Sequence, residues 1–93
     1  MDIEFEWDEK KNVANIQARG IDFRDAARAF EGHMLRKLSI RNNEERWFGL
    51  CELEGVVIVI VYTIRGHKVR VISMRRASRH ERKIYKESIK NED

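Results

Sequence analysis

The sequence predicts an α+β fold in one compact domain, residues 1–93: an N-terminal strand, two helices, an antiparallel meander and a C-terminal helix. Three observations carry this. The hydrophobic period is helical before residue 33 and changes to strand-like after it. Two-residue links join consecutive apolar runs, which makes neighbouring strands antiparallel. Helical spacing then returns over residues 77–88. A chain of 93 residues with no proline, no repeat and no low-complexity tract gives no sign of a second domain.

The elements follow in order. Ile3, Phe5 and Trp7 alternate with Glu4, Glu6 and Asp8, a period of two that puts aromatics on one sheet face and acids on the other. Asp8 is positioned to cap a helix over 9–19, with Val13 and Ile16 as its thin apolar stripe and Gly20 as a left-handed stop. Asp22 caps a second helix whose Phe23, Ala26, Ala27 and Phe30 form its apolar face, and Gly32 ends it. Strands are expected at 34–40, 46–53, 56–64 and 67–75. They are separated by the polar stretch Arg41 to Glu45 and by turns at Glu54-Gly55 and Arg65-Gly66. The unbroken apolar run from Val56 to Val61 reads as a central strand covered on both faces, with Val57, Val59 and Val61 in the core. In the last helix Ala77, Ile84 and Tyr85 face inward.

Charge is distributed unevenly. Net charge is only +3, yet residues 1–9 hold five acids and no base, while residues 65–86 hold nine Lys or Arg against the one acid Glu81. A surface of this kind suits a polyanion. On the strand before the last helix, Val69, Val71, Ser73 and Arg75 share one face and Arg70, Ile72 and Met74 the other. Arg75, Arg79, Arg82 and Lys86 then follow at spacings of four, three and four, a continuous stripe that can track a nucleic-acid backbone. Trp47, Phe48, Tyr62 and Tyr85 are available to stack on bases, with Tyr85 foremost because it lies in the basic helix.

Other chemistries find little support. His33, His67 and His80 lie far apart, and the single cysteine, Cys51, has no partner for a zinc site or an internal disulfide. It reads as a buried thiol. No Gly-rich phosphate loop or nucleophile elbow is present, so neither metal nor cofactor is expected. The apolar run 56–64 is too short to span a bilayer, and the first residues lack a basic segment followed by an apolar core, so a cytoplasmic location is expected.

Taken together, Phe5-Glu6-Trp7-Asp8-Glu9 with Lys11-Asn12 and Asn15, then Gly20-Ile21-Asp22-Phe23 before Ala26-Ala27 and Phe30, resemble the BrnT toxins of bacterial and archaeal toxin–antitoxin pairs. The mid-chain Glu45-Arg46 and the closing Arg70 to Ala77 segment with Glu81-Arg82 and Tyr85 extend the resemblance over nearly the whole chain. It implies a fold similar to RelE-type ribonucleases and a metal-independent RNA-cleaving toxin that blocks translation. It also implies a BrnA-type antitoxin with a ribbon-helix-helix domain, through which the toxin would associate indirectly with operator DNA. Where the family commonly has Lys-His-Gly, this chain has Ala18-Arg19-Gly20. A guanidinium at that position cannot shuttle protons, although it can hold a phosphate.

Cleavage of RNA requires activation of a 2′-hydroxyl, positive donors around the phosphorane and a proton for the leaving oxygen. Arg46, Arg70, Arg75 and Arg79 are candidate donors, Arg75 first. Glu81, Tyr62, Tyr85, Lys11 and His67 are available for proton transfer, with Glu81 equally suited to orienting Arg75 or Arg82. The expected catalytic set is Arg75, Arg46, Arg70, Glu81 and Tyr85. RNA binding falls to Lys11, Arg19, Arg76, Arg79, Arg82, Lys83 and Lys86. Two other readings fit the same basic surface: a non-catalytic module that binds RNA or an acidic protein, and a structural partner of a DNA-binding regulator.

Overall fold

The computed structural model describes residues 3–91. Five strands form one sheet in the order β1-β5-β4-β3-β2, where β1 is Glu4–Trp7, β2 Leu35–Arg41, β3 Glu44–Leu53, β4 Val56–Arg65 and β5 Lys68–Arg76. The strands β2 to β5 pair antiparallel in succession, as their short links require. The sheet as a whole is mixed and not the purely antiparallel meander expected, because β1 joins the outer edge of β5 in parallel. Parallel pairing needs a long return path, and everything between β1 and β5 supplies it.

The helices divide between the two faces. On one face lie α1 (Glu9–Arg19), a 3-10 turn at Phe23–Asp25 and α2 (Ala26–Glu31); on the other lies α3 (Arg79–Lys90). The first face closes over Phe23, Ala26, Ala29, Met34, Cys51, Ile58, Ile60, Tyr62, Val69, Val71 and Met74, with Phe5, Trp7, Phe30 and Trp47 packed at its rim. Phe30 sits edge-on between Phe5 and Tyr62, with ring centroids 5.1 Å from each. The second face buries Val57, Val59, Val61, Ala77 and Tyr85, so the central strand β4 is covered on both sides, as its unbroken apolar run predicts.

Asp8 caps α1 by accepting from the Lys10 and Lys11 amides, and Gly20 ends the helix with φ +70°. The inward face of α1 is not the one expected. Val13 and Ile16 are exposed, and the helix buries Asn12 and Asn15 instead. Asn12 Oδ1 accepts from the Phe23 amide at 2.8 Å, its Nδ2 donates to Asp22 at 3.1 Å, and Asn15 Nδ2 donates to the Ile21 carbonyl at 2.9 Å. The segment 21–23 has no ladder of its own, so the two amides satisfy backbone groups that burial would otherwise leave unpaired. In α2 the inward alanines are Ala26 and Ala29, not Ala27, because the 3-10 turn before it shifts the helical phase.

Turn chemistry sets the register. Asn42 and Asn43 both take positive φ, 54° and 61°, which makes a tight hairpin and lets β3 start at Glu44, earlier than expected. Glu54 and Gly55 do the same at 51° and 81°. Arg65 pairs with Lys68, so the last turn is Gly66-His67 and not Arg65-Gly66. The largest departure is a bulge in β5. Val61 pairs with Ser73 and Tyr62 with Val71, leaving Ile72 as an extra residue on that strand. Regular alternation therefore fails: Val69, Val71 and Met74 face the α1–α2 side, whereas Arg70, Ile72, Ser73 and Arg75 face the α3 side. Without the bulge Arg75 would point into the larger core.

Candidate active site

The strand β5 passes to α3 through Ala77 and Ser78 alone. The Ala77 amide continues the ladder by donating to the Val57 carbonyl at 3.0 Å. Ser78 then starts the helix with a reciprocal cap: its hydroxyl accepts from the Glu81 amide at 3.2 Å, and the Glu81 carboxylate accepts from the Ser78 amide at 2.8 Å. This fixes Glu81 above the end of β5, where Arg75 donates to it bidentately at 2.8 and 2.9 Å. The Arg75 guanidinium, with the Ser78 amide behind it, holds the Glu81 carboxyl down at about 2 although partial burial opposes the shift. Glu81 in turn raises the guanidinium.

The second half of α3 is tied to the segment before β2. Tyr85 donates its hydroxyl to the His33 carbonyl at 3.2 Å, and His33 Nε2 lies 3.0 Å from Ser88 Oγ. Anchored at both ends, α3 covers only part of its sheet face and leaves a groove of about 520 Å³ along one flank. Leu35, Lys37, Ser39, Phe48, Leu50 and Val59 line it from the sheet, His80, Glu81 and Ile84 from the helix, and Arg75 stands at the junction. Among the described residues no ion pair engages Lys37 or His80, while Arg75 is already paired.

The groove gathers some predicted residues and excludes others. Arg75 and Glu81 are in it. Arg46 faces Ser39 across the β2–β3 ladder, on the same sheet face at the far end, within 3.9 Å of Glu44. Arg70 shares that face outside the lining and is held by Glu6 of β1 at 3.2 Å. Tyr85 is a correction: it is 3 % exposed beneath α3 and reaches neither groove nor solvent as a stacking platform. Tyr62 is buried on the opposite face, its hydroxyl accepting from Arg36 Nε at 3.1 Å. His67 lies 3.2 Å from Glu4 at the β1 edge, far along the sheet from Arg75.

The basic stripe on α3 forms without Arg75. Helical geometry puts Arg79, Arg82, Lys83 and Lys86 on the flank of α3 away from His80, Glu81 and Ile84, and Arg82 turns back to donate to the Ala77 carbonyl at 3.1 Å. Arg75 belongs to the groove flank. Lys11 and Arg19 lie on α1 across the sheet, where Arg76 donates to the Arg19 carbonyl at 3.2 Å. Trp47 packs against the larger core, so of the four proposed stacking aromatics only Phe48 lines the groove. In the sequence His80 reads as a surface or structural histidine because it has no partner at a recognisable spacing. Its signal was its place in the first turn after a capping serine, five residues beyond Arg75.

Cys51 is fully buried and its thiol is pushed up to about 12, chiefly by desolvation, which makes it an inert core residue. Among the described residues no group of three or more His, Cys, Asp or Glu side chains is placed to hold a metal ion, and no helix is long and apolar enough to cross a membrane.

A basic α+β domain with an arginine-lined groove between its sheet and last helix is suited to engaging a phosphodiester chain. Over residues 7–81 the chain matches the family described as ribonuclease toxin, BrnT, of type II toxin-antitoxin system. The chain belongs to that BrnT family, and membership carries a toxin role, an RNA substrate and an antitoxin partner. Comparison with curated proteins gives no match.

Proposed function

We propose that the groove binds RNA and cleaves it without a metal ion, in the manner of the RelE-type ribonucleases, and that this cleavage stops translation. The observation that supports this reading is the convergence of Arg75, Lys37 and His80 on one groove. Attack of a ribose 2′-hydroxyl on its own phosphorus gives a 2′,3′-cyclic phosphate and frees the 5′-oxygen of the next nucleotide. Arg75 donates to the phosphorane oxygens, and Glu81 holds its intrinsically planar guanidinium aimed along the groove. Imidazole is the side chain best suited to exchange protons near neutral pH, so His80 takes the acid or base role that Arg19 cannot fill. Arg46 and Arg70 steer the flanking backbone from the open sheet face. Neutralisation falls to a BrnA-like ribbon-helix-helix antitoxin, which brings the complex to operator DNA in the cytoplasm.

A defined RNA incubated with the protein in EDTA, alone and with ribosomes, tests this. The wild type leaves cyclic-phosphate ends, Arg75→Ala lowers the rate on the order of 100-fold, and His80→Gln flattens the pH profile. RNA left intact under both conditions by a protein that still binds it makes the groove a binding surface only.

A further inference from the structure

The groove is basic at its junction but apolar along its floor. Leu35, Phe48, Leu50 and Val59 pave the sheet side, and Ile84 faces them from α3. Phe48 and Ile84 are each 37 % exposed, so two large apolar side chains border an open cleft while Trp47, the neighbour of Phe48, packs against the core. A phosphate gains nothing from such a surface, whereas a planar heterocycle does. We propose that the slot between Phe48 and Ile84 takes one unpaired nucleobase, its adjoining phosphate resting on Arg75, so that the protein accepts single-stranded RNA and rejects duplex. The inference rests on the ribonuclease reading of the same groove.

Three features favour a nucleotide as occupant. The volume of about 520 Å³ lies within the range of small-ligand pockets, roughly 300–1,000 Å³. Lys37 is the cross-strand partner of Phe48 and lines the groove with it, which puts a cationic side chain within reach of the charge that a stacked nucleotide carries. The one acid lining the groove, Glu81, is neutralised by Arg75, so the lining as a whole favours an anion. A base held in a helix is already stacked on both faces and cannot enter such a slot, whereas single strands present their rings freely.

Binding and cleavage are to be measured separately. A single-stranded 2′-O-methyl RNA hexamer, which lacks the attacking hydroxyl, is titrated by fluorescence anisotropy against the full chain, alone and annealed to its complement. Wild type should bind the single strand and bind the duplex at least tenfold more weakly. Phe48→Ala should lose about ten- to a hundredfold in affinity, and Phe48→Trp should keep binding, with its indole emission quenched on titration. Because Phe48 borders the open groove and keeps more than a third of its surface exposed, circular dichroism should show both variants folded. Equal affinity of wild type and Phe48→Ala, or of strand and duplex, overturns the slot. If the hexamer quenches Phe48→Trp while natural RNA is never cut, the slot stands and the ribonuclease reading falls. If natural single strands are cut equally well by Phe48→Ala, the slot falls and the ribonuclease reading stands. Loss of antitoxin affinity in Phe48→Ala with no hexamer binding assigns the cleft to a protein side chain and also overturns it.

Discussion

Arg75 and Glu81 form a two-point contact, 2.8 and 2.9 Å, in which the carboxylate also accepts from the Ser78 amide at 2.8 Å. One side chain thus caps the helix and aims the arginine. Both residues keep about a third of their side-chain surface exposed, 33 % for Arg75 and 27 % for Glu81, so an incoming phosphate has access to the guanidinium without dismantling the cap.

Arg75→Lys is the sharper test of that geometry. A lysine keeps the charge but cannot match two oxygens at once, so cleavage should remain on the order of 100-fold below wild type in a protein that circular dichroism shows folded at the assay temperature. Recovery of the wild-type rate would reduce Arg75 to a point charge.

Glu81 gives a pH dependence with a definite sign. Its carboxyl titrates at about 2 in the folded protein against an ordinary 4.5, a lowered value, so its contribution is fully present above pH 4.5 and is lost as pH falls from there towards 2. The stability gap between wild type and Glu81→Gln should be constant from pH 5 to pH 8, on the order of 1–2 kcal/mol after allowing for solvent exposure. It should shrink below pH 4.5, as read by denaturant melts across that range.

Asn12→Ala should destabilise the fold without touching the groove. It strands the Phe23 amide in a site where Asn12 is 1 % exposed, and an unmet buried donor costs about 1–3 kcal/mol. Urea denaturation should show a lower midpoint at unchanged slope, with RNA binding intact at temperatures where the variant is folded.

The outer flank of α3 predicts how the antitoxin docks. Exposed ion pairs contribute about 0–1 kcal/mol each, so charge on Arg79, Arg82, Lys83 and Lys86 guides encounter while apolar contact sets the lifetime. Stopped-flow measurements should find association slowed markedly by salt and by Lys83→Glu with Lys86→Glu, and dissociation little changed. A salt-insensitive association rate would remove this flank from the docking surface.

Much of this molecule was legible in its sequence because the signals were local. Asp8, Gly20 and Asp22 act on amides or φ angles within a few residues, and the central strand declared itself by the unbroken run from Val56 to Val61. The family likeness drew on the same short motifs. Arg75 and Glu81 were both visible, since six residues spanning one strand end and one helical turn bring such side chains together.

Distance in the chain decided the rest. Nothing local in Glu4 to Trp7 states that β1 pairs in parallel with β5, and an amphipathic reading cannot foresee α1 turning its asparagines inward, because their partners at Ile21, Asp22 and Phe23 become neighbours only on folding. The bulge at Ile72 is a mismatch between two strands and exists in neither alone, yet it turns Arg75 from the core to the groove. Tyr85 passed from candidate to anchor, and His80 and Phe48 entered the groove, because a helix's rotation over a sheet is set by what both of its ends grip. The sequence by itself determined the elements, their caps and the charge they carry; the tertiary structure alone decided which faces meet, since facing is a property of pairs of elements and is set by packing, register and the hydrogen bonds that long-range contact leaves to be satisfied.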